Sequence, residues 1–324
     1  MAVGILGLGT YVPERILSNA DFEQFLDTSD EWIVSRTGIR RRHIAAEQEF
    51  TSQLAFSSVE DLIRRHGRQI LEGVGMVIVA TNTPDALFPS TASLVQDHFG
   101  LEAGGFDLLA ACPGWIYGLS IAQGLVASGQ IKRALVIGAE ALSKITDYQD
   151  RSTAVLFGDG AGAAVVGEVA PGSGFLASVL GTDGSGQIHL HRSAIADHLP
   201  AGAKMGPHLY MNGREVFKFA VRVMNTATLQ VLERAGLTPA DISLFVPHQA
   251  NLRIIEAARE RLGLPLERVV VTLDEYGNNS TASIPLALQR ALDQGRLHPG
   301  DRVLLVSFGA GLTWAASVLA WGGA

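Results

Sequence analysis

Cysteine is nearly absent from this 324-residue sequence, in which Cys112 is the single example. A lone cysteine excludes an internal disulfide framework and a cysteine-rich metal site, and it fits a reducing cytosol, so we expect a cytoplasmic protein. Long apolar runs are also lacking. None approaches the ~20 residues that span a bilayer, and the N-terminus has no basic segment with an apolar core, so neither a membrane span nor a signal peptide is expected. The net charge of −7 argues against nucleic acid as the main partner.

What the sequence does contain is typical of a globular protein, with 47% hydrophobic and 18% charged residues. Apolar strand-like runs alternate with helical patterns along nearly the whole chain, and this alternation predicts an α/β fold. One helix is expected over residues 54–66, where apolar side chains recur at helical spacing, with a stop at Gly67.

The two halves of the chain resemble each other in spacing. Thr81 follows a strand-like run and precedes Cys112 by 31 residues, while His248 follows another run and precedes Asn278 by 30. A duplicated fold brings equivalent strand ends together at a pseudo-twofold axis. Under that symmetry Cys112, His248 and Asn278 meet in one pocket.

Cys112 lies between an apolar strand-like run and an amphipathic segment. Pro113 follows it, and proline is pre-organised for the first helical position, so the thiol is expected at a helix N-terminus. There the helix dipole favours the thiolate by roughly 1–2 kcal/mol, or about one pKa unit, which would bring the thiol pKa near neutrality. The alternative is a buried structural thiol, since free cysteine is among the most buried residue types.

Two further polar residues could act with this cysteine. His248 lies at a strand end, and histidine is the usual acid or base at neutral pH and can donate a hydrogen bond to an oxyanion. Asn278 lies in a Gly-Asn turn signal. Taken singly, each is more often structural, but a Cys–His–Asn set is a plausible arrangement for covalent catalysis. The glycine-rich residues 307–314 could supply N–H groups to an oxyanion hole, and they also predict a tight hairpin.

A second group of candidates lies near the N-terminus. Thr28 and Glu31 have the capping-box pattern, so a short helix is expected to begin there and to end at Gly38. Trp32 and Arg36 would then share one helix face, where the ring could stack on a base while the guanidinium reaches a phosphate. The alternative is a simple surface pair.

His189 and His191 could together bind a metal ion, but no third ligand at a sensible spacing supports them. We therefore expect no metal site. The basic run of residues 40–43 is most simply a solvated surface.

Several motifs taken together resemble one family. They are Asn19-Ala-Asp, the block from Asp27 to Arg36, Gly158-Asp-Gly-Ala-Gly-Ala163, Val246-Pro-His-Gln-Ala-Asn-Leu-Arg-Ile-Ile255 and Tyr276-Gly-Asn-x-Ser280. From about Ile5 to Trp314 the chain resembles β-ketoacyl-acyl-carrier-protein synthase III, which starts bacterial fatty-acid synthesis. The resemblance implies a thiolase-like α/β fold, with two duplicated βαβαβαββ halves packed as a five-layer α-β-α-β-α sandwich. The halves are expected at residues 1–168 and 169–324, in a homodimer.

The resemblance also implies roles for individual residues. Cys112 takes the acetyl group from acetyl-CoA, a substrate, so no cofactor is expected. His248 and Asn278 bind the thioester carbonyl of malonyl-acyl carrier protein, and the N–H groups of Cys112 and Ala310 form an oxyanion hole. The remaining roles are CoA binding by Thr28, Trp32, Arg36 and Arg151, closure of the partner subunit's acyl pocket by Phe88, and acyl-carrier-protein binding by Lys218 and Arg253.

Three positions depart from the family pattern. Pro113 stands where alanine or serine is common, Arg214 where asparagine is usual, and Ala310 where glycine is common. Degradative thiolases are excluded because they need a second active-site cysteine, and elongating condensing enzymes carry a second histidine where this chain has Asn278. A related Cys–His–Asn transferase with another acceptor stays open, as does an inactive acyl-CoA-binding scaffold.

Overall fold

The structure is a computed structural model and describes residues 1–323. Within this range thirteen strands and ten α-helices follow one another along the chain. The strands are β1 (Ala2–Tyr11), β2 (Ile16–Ser18), β3 (Arg41–His43), β4 (Val74–Ala80), β5 (Gly104–Leu108), β6 (Arg133–Glu140), β7 (Gly160–Val169), β8 (Gly174–Thr182), β9 (Leu190–His191), β10 (Tyr210–Met211), β11 (Leu244–Pro247), β12 (Arg302–Gly309) and β13 (Thr313–Ala320). The helices are α1 (Asn19–Phe22), α2 (Asp30–Thr37), α3 (Thr51–His66), α4 (Thr91–Phe99), α5 (Gly114–Ala127), α6 (Arg151–Ala154), α7 (Gly213–Ala235), α8 (Leu252–Leu262), α9 (Leu273–Tyr276) and α10 (Ser283–Asp293).

Two sheets with the same strand order form the frame of the molecule. The first runs β1-β7-β6-β4-β5 and the second β8-β13-β12-β11. In both, the first three strands pair antiparallel and the next pairs parallel. The first sheet adds β5 parallel to β4, and at the equivalent place in the second sheet Val269 bridges Phe245 in parallel. The duplication expected from the spacing is therefore present in the topology.

Both sheets are buried on two faces, and this explains their nearly continuous apolar sequences. Because successive strand residues point to opposite sides, Val77 and Val79 of β4 pack with α3 and α4, whereas Ile78 faces α5. In β12 the same alternation sends Val303 to the α5 side and Leu304 to the α7 side.

The helices complete five layers. Helices α3 and α4 cover the outer face of the first sheet, α5 and α10 lie between the two sheets, and α7 and α8 cover the outer face of the second. Trp115 of α5 and Leu288 of α10 share the middle cluster with strand residues of both sheets. The expected α-β-α-β-α sandwich and the thiolase-like fold are confirmed. Helix α3 ends at His66 with Gly67 as its cap, as predicted.

Equivalent turns of the two halves carry the candidate residues. Thr81 follows β4 and His248 follows β11, while Cys112 precedes α5 and Asn278 lies shortly before α10. The boundary after residue 168 stays a prediction. It falls one residue before the end of β7, whose ladder with β1 includes Val169. No helix described in residues 1–323 is long and apolar enough to cross a membrane.

Candidate active site

A cavity of about 820 Å³ opens between the two halves. Its wall brings together Cys112, His248 and Asn278, although 166 residues separate the first from the last. Ala310 and the helix residues Trp32 and Arg36 line the same cavity. The three polar residues that spacing predicted to meet do lie around one space.

Cys112 sits in a tight turn between β5 and α5. Ala111 before it has a φ of 52°, a left-handed conformation that costs a non-glycine residue energy and often marks a functional turn. Pro113 caps the helix, which begins at Gly114, so the expected place at a helix N-terminus is confirmed. The backbone of Gly309 packs so closely that a Cβ there would lie 2.7 Å from the Cys112 nitrogen.

The expectation of a lowered thiol pKa is wrong in sign. Burial raises the pKa of Cys112 to about 12, and a hydrogen bond from the Ser280 hydroxyl and the effect of its own backbone only partly oppose this. The negative charge of Glu140 acts in the same direction as burial. Desolvation by the surrounding protein can shift a pKa by several units, which exceeds the effect of one helix dipole. The Cys112 side chain still lines the cavity and is partly exposed, so the sulfur is accessible to a substrate.

His248 is buried, with 1% of its surface exposed, and its position is fixed on two sides. Its Nδ1 lies 2.7 Å from the Oγ of Ser283, and the ring packs edge-on against Phe308 at 5.4 Å. Burial lowers the pKa of His248 to about 3. The imidazole is thus neutral across the physiological range.

Asn278 is oriented by its own turn. Its N–H donates to the Leu156 carbonyl at 2.9 Å, and its side-chain Oδ1 accepts the Ser280 N–H at 2.9 Å. With the oxygen engaged in this way, the amide NH₂ is the end available to the cavity. Gly277, at φ 68°, makes the turn before it, where a side chain would be strained.

The glycine-rich segment after β12 forms the predicted hairpin to β13. Ala310 and Gly311 line the cavity beside Cys112. The Thr313 hydroxyl holds this turn in place, because it lies 2.8 Å from the Ala310 carbonyl oxygen and 3.0 Å from the Ala110 carbonyl oxygen. A backbone N–H of this turn can therefore hold a fixed place near the sulfur.

Helix α2 forms the outer rim of the cavity. It begins at Asp30, and its cap is Ser29, whose Oγ accepts the Trp32 N–H at 3.1 Å. The predicted capping box of Thr28 with Glu31 is wrong, because the serine one residue later takes the cap. The predicted end at Gly38 is confirmed, with a φ of 83°.

Trp32 has a cationic neighbour, Arg151, which the family resemblance had grouped with it for CoA binding. The guanidinium of Arg151 lies 4.8 Å from the Trp32 ring centroid, and its Nη1 donates to the Asp27 carbonyl at 2.5 Å. At that distance the two planar groups are in direct contact. Thr28 follows Asp27 in the chain. Its Oγ1 is buried and has no hydrogen-bond partner in residues 1–323.

Comparison with known proteins identifies the family. A model of 3-oxoacyl-[acyl-carrier-protein] synthase III matches residues 106–184, and a model of the C-terminal part of that enzyme matches residues 232–321. The β-ketoacyl-acyl-carrier-protein synthase III of Symbiobacterium thermophilum is 55% identical over 325 residues, covering 99% of this chain and 98% of the relative. That of Deinococcus deserti is 53% identical over 324 residues, covering 100% and 92%. A crystal structure of the Thermus thermophilus enzyme is 69% identical with a TM-score of 0.98, covering 99% and 100%.

The chain belongs to the β-ketoacyl-acyl-carrier-protein synthase III family. It is an acyltransferase, a condensing enzyme of fatty-acid synthesis, as the sequence motifs implied. Three further residues to which the family resemblance assigned roles, Phe88, Lys218 and Arg253, do not line the main cavity.

Phe88 lies in the segment between β4 and α4 and is 85% exposed, beside Leu87 at 68%. Lys218 lies on α7, where its Nζ pairs with Glu215 at 2.7 Å, and it borders a smaller groove. Arg253 is the second residue of α8, with its guanidinium 5.5 Å from the Phe217 ring. None of these three residues lines the cavity that contains Cys112.

Sequence reasoning missed four residues of the synthase III site. Phe308 and Ser283 contact His248, Ser280 lines the cavity with Cys112, and Glu140 lies 3.3 Å from the hydroxyl of the next residue, Thr281. Ser280 could have been found, since it ends the Tyr276-Gly-Asn-x-Ser280 motif. Glu140 carries no signal, because it is simply the last residue of an apolar strand.

Proposed function

We propose that this chain catalyses acyl transfer from acyl-CoA, with acetyl-CoA as the expected donor, to Cys112, followed by decarboxylative condensation with malonyl-acyl carrier protein. The products would be acetoacetyl-acyl carrier protein, CO₂ and CoA, which start fatty-acid synthesis. The observation that carries the proposal is the shared cavity of Cys112, His248 and Asn278 in a member of the synthase III family. No cofactor takes part in these steps, since the acyl-CoA is a substrate.

The first half-reaction uses Cys112 as nucleophile. Its sulfur attacks the acyl carbonyl, and the oxygen that becomes negative faces the N–H groups of Cys112 and Ala310. Two fixed backbone donors stabilise such an oxyanion without reorganisation, and removal of one oxyanion donor typically costs about 10²–10³ in rate. The anchored turn after β12 supports this role for Ala310.

The second half-reaction uses two neutral donors. Because its pKa is lowered to about 3, His248 is uncharged, and with the Ser283 hydroxyl as the donor to Nδ1 the ring proton would be on Nε2. Asn278 has its Oδ1 engaged and offers its NH₂. Both would donate to the thioester carbonyl of malonyl-acyl carrier protein and stabilise the enolate as CO₂ leaves. The enolate then attacks the acyl group on Cys112.

We assign the rim of the cavity to the nucleotide end of CoA. Trp32 and Arg151 would sandwich the adenine, with Thr28 and Arg36 near its phosphates. The guanidinium lies 4.8 Å from the ring centroid, which is less than a base stacked between two planar groups needs, so Arg151 would move away from Trp32 when CoA binds. The unpartnered Oγ1 of Thr28 is a ready hydrogen-bonding group for this ligand.

We assign acyl-carrier-protein binding to Lys218 and Arg253. The smaller groove beside Lys218 is also lined by Arg222 and Arg261, so the face presents four cations to an acidic partner. Phe217 lies in both the groove and the main cavity, so a carrier bound here stands at the cavity entrance.

We also propose a homodimer, in which Phe88 closes the acyl pocket of the partner subunit. Strand β5 is at the open edge of the first sheet, and Leu109, directly after it, is 77% exposed. An apolar edge of this kind favours a second chain. Two halves at residues 1–168 and 169–324 and a cytoplasmic location remain predictions of the same proposal.

Intact-protein mass spectrometry tests the function directly. We expect an acetyl adduct on Cys112 after incubation with acetyl-CoA, and its discharge as acetoacetyl-carrier protein when malonyl-acyl carrier protein is added. Cys112→Ala should show no adduct. An adduct that only a different acceptor discharges would indicate a specialised transferase, and no adduct with any acyl-CoA would indicate an inactive scaffold.

A further inference from the structure

Arg42 is buried where the sequence suggests a solvated surface. It is the middle residue of β3, in the basic run of residues 40–43, and 0% of its surface is exposed. The expectation for this run is therefore wrong at Arg42. Within residues 1–323 no carboxylate lies in ion-pair contact with it. Burial lowers the pKa of Arg42 to about 9, so the guanidinium stays charged near pH 7. A buried charge without a counter-ion is costly, so its place in the fold needs an explanation.

Neutral groups surround the Arg42 guanidinium. Its Nε donates to the Val155 carbonyl at 3.0 Å, and its Nη2 donates to the same oxygen. Its Nη1 donates to the Oδ1 of Asn19 at 2.5 Å, and the guanidinium carbon lies 4.7 Å from the centroid of the Phe22 ring. Arginine presents its donors in a rigid planar fork, so these contacts fix the Val155 carbonyl in one place.

The segment that follows Val155 holds the backbone of Asn278. The Asn278 N–H donates to the Leu156 carbonyl at 2.9 Å, and the Gly158 N–H donates to the Asn278 carbonyl at 3.1 Å. The residue between these two forms an isolated parallel bridge with Asn278. Asn278 is therefore bound on both sides by a segment that Arg42 fixes at its start.

The aliphatic part of Arg42 packs against the same turn. A Cβ atom on Gly277 would lie 3.0 Å from the Cγ of Arg42, and one on Gly158 would lie 3.3 Å from its Cβ. Gly277 has a φ of 68° and Ser280 has a φ of 48°, so both lie in the left-handed region on either side of Asn278. A non-glycine residue keeps such a conformation only where its surroundings fix it. The Arg42 side chain is part of those surroundings.

Asn19 connects Arg42 to the rim of the cavity. Its Nδ2 donates to the Oδ1 of Asp30 at 2.7 Å and to the Ile39 carbonyl at 2.9 Å. Asp30 is the first residue of α2, the helix that carries Trp32. Because Asn19 makes these two bonds itself, α2 keeps them when the guanidinium is removed. The contact of Arg42 with Val155 is the one that leads to Asn278.

We propose that Arg42 is a positioning residue for Asn278, which it fixes with its amide facing the cavity before the malonyl thioester arrives. Arg42 does not line the cavity and touches no reacting atom. It acts through residues 155–158 and through the turn at Gly277. The proposal rests on the role in condensation given above to Asn278. A donor that is fixed in advance stabilises an enolate without rearrangement during the reaction, and it needs rigid support to do so.

Single-turnover rates of the two half-reactions test this role. Arg42→Met keeps an unbranched aliphatic side chain and removes all of the donors. We expect malonyl decarboxylation to slow about tenfold, because the Asn278 amide loses its fixed place, while acylation of Cys112 by acetyl-CoA changes by less than about twofold. The KM for malonyl-acyl carrier protein should also change by less than about twofold, since the support acts on the reacting state.

A double-mutant cycle distinguishes positioning of Asn278 from a general loss of structure. If Arg42 acts through Asn278, then Arg42→Met should slow decarboxylation by less than about twofold when it is added to Asn278→Ala. A further loss of about tenfold in that background would overturn the proposal. Equal losses in both half-reactions of the single variant would also overturn it.

Arg296→Met is the matched control. Arg296 is a partly buried arginine whose Nη2 donates to the carbonyls of Glu267 and Val269, both at 2.9 Å, and it does not line the cavity. This variant should leave the ratio of the two rates unchanged, whatever its effect on thermal stability. If Arg296→Met reproduces the selective loss, the cause is weakened packing and the proposal is wrong.

Arg42→Lys provides the same comparison if Arg42→Met does not fold. Lysine keeps the charge and the aliphatic chain but lacks the planar fork, so the selective loss should be smaller, about threefold. An unchanged ratio of rates in the variant that folds would overturn the proposal. Wild-type enzyme that forms no acetyl adduct, or Asn278→Ala that decarboxylates at the wild-type rate, would overturn the proposed function on which the role of Arg42 depends.

Discussion

The Nδ1 atom of His248 lies 2.7 Å from the Oγ of Ser283, at the first turn of the helix that follows Asn278. A serine hydroxyl can donate to this nitrogen, and the ring proton is then on Nε2, where the proposed mechanism needs a donor. In that mechanism Ser283 selects which nitrogen of His248 donates. This contact leads to the first prediction.

Ser283→Ala should slow condensation while acylation of Cys112 stays unchanged. The loss of one hydrogen bond is worth about 0.5–1.5 kcal/mol, or roughly a two- to tenfold decrease in the rate of malonyl decarboxylation. Single-turnover assays of each half-reaction measure the two rates. Ser317→Ala removes a hydroxyl that is equally buried on β13 and serves as the control. An equal loss in both half-reactions would contradict this role of Ser283.

Alanine variants of the three cavity residues should separate the two half-reactions. Cys112→Ala should abolish the acyl adduct. His248→Ala and Asn278→Ala should still form it, because neither residue contacts the leaving CoA in the proposed scheme, but each should lose about 10²–10³ in decarboxylation. Adduct mass and release of labelled CO₂ are the measurements. Loss of the adduct in both variants would assign His248 and Asn278 to acyl transfer instead.

The buried histidine should make the protein less stable in acid. The pKa of His248 is lowered from 6.5 to about 3, so between these pH values the unfolded chain binds the additional proton. The free energy of unfolding therefore falls as the pH is lowered, by up to about 1.4 kcal/mol per pH unit from this residue. Urea titrations from pH 7 to pH 4 on wild type and His248→Gln measure the difference in slope. Parallel slopes would show that His248 is protonated in the folded state.

Charge reversal on the proposed carrier-binding face should weaken one substrate only. Lys218→Glu and Arg253→Glu should each raise the KM for malonyl-acyl carrier protein about tenfold at low salt, with less effect at high salt. Acylation by acetyl-CoA should be unaffected. Lys132→Glu makes the same change at an exposed position at the start of β6 and should leave both substrates unaffected. If Lys132→Glu has the same effect, the cause is net charge and not this face.

The sequence predicts those parts of the site that depend on the local chain and on the order of strands. The turn with Cys112 and Pro113, the helix end at Gly38 and the hairpin of residues 307–314 all follow from local chemistry, and the spacing to Asn278 follows from duplication. The thiol pKa does not, because desolvation depends on what packs around the sulfur. The pairing of Arg151 with Trp32 does not follow from local chemistry either, and only the family resemblance predicted it.

Glu140 illustrates the remaining gap. A glutamate at the end of an apolar strand looks the same in sequence whether it is buried or exposed to solvent. The residues that bind its carboxyl group are Asn82, in the turn after β4, and Thr281, next to Ser280. A serine in the Asn-x-Ser motif was visible, but its left-handed backbone was not. Cap choice is similar, since Thr28 and Ser29 are both capping residue types and the capping-box pattern indicated the wrong one.

The middle layer of the sandwich also determines how the protein can be divided. Trp115 and Leu119 from the first half and Ile284 and Leu288 from the second bury one another in a single cluster. A chain cut in the β7–β8 connection, residues 170–173, would leave each fragment with an uncovered apolar helix and sheet face. We therefore expect each fragment to be insoluble when expressed alone and both to be recovered when expressed together, because each half is the solvent-excluding surface of the other.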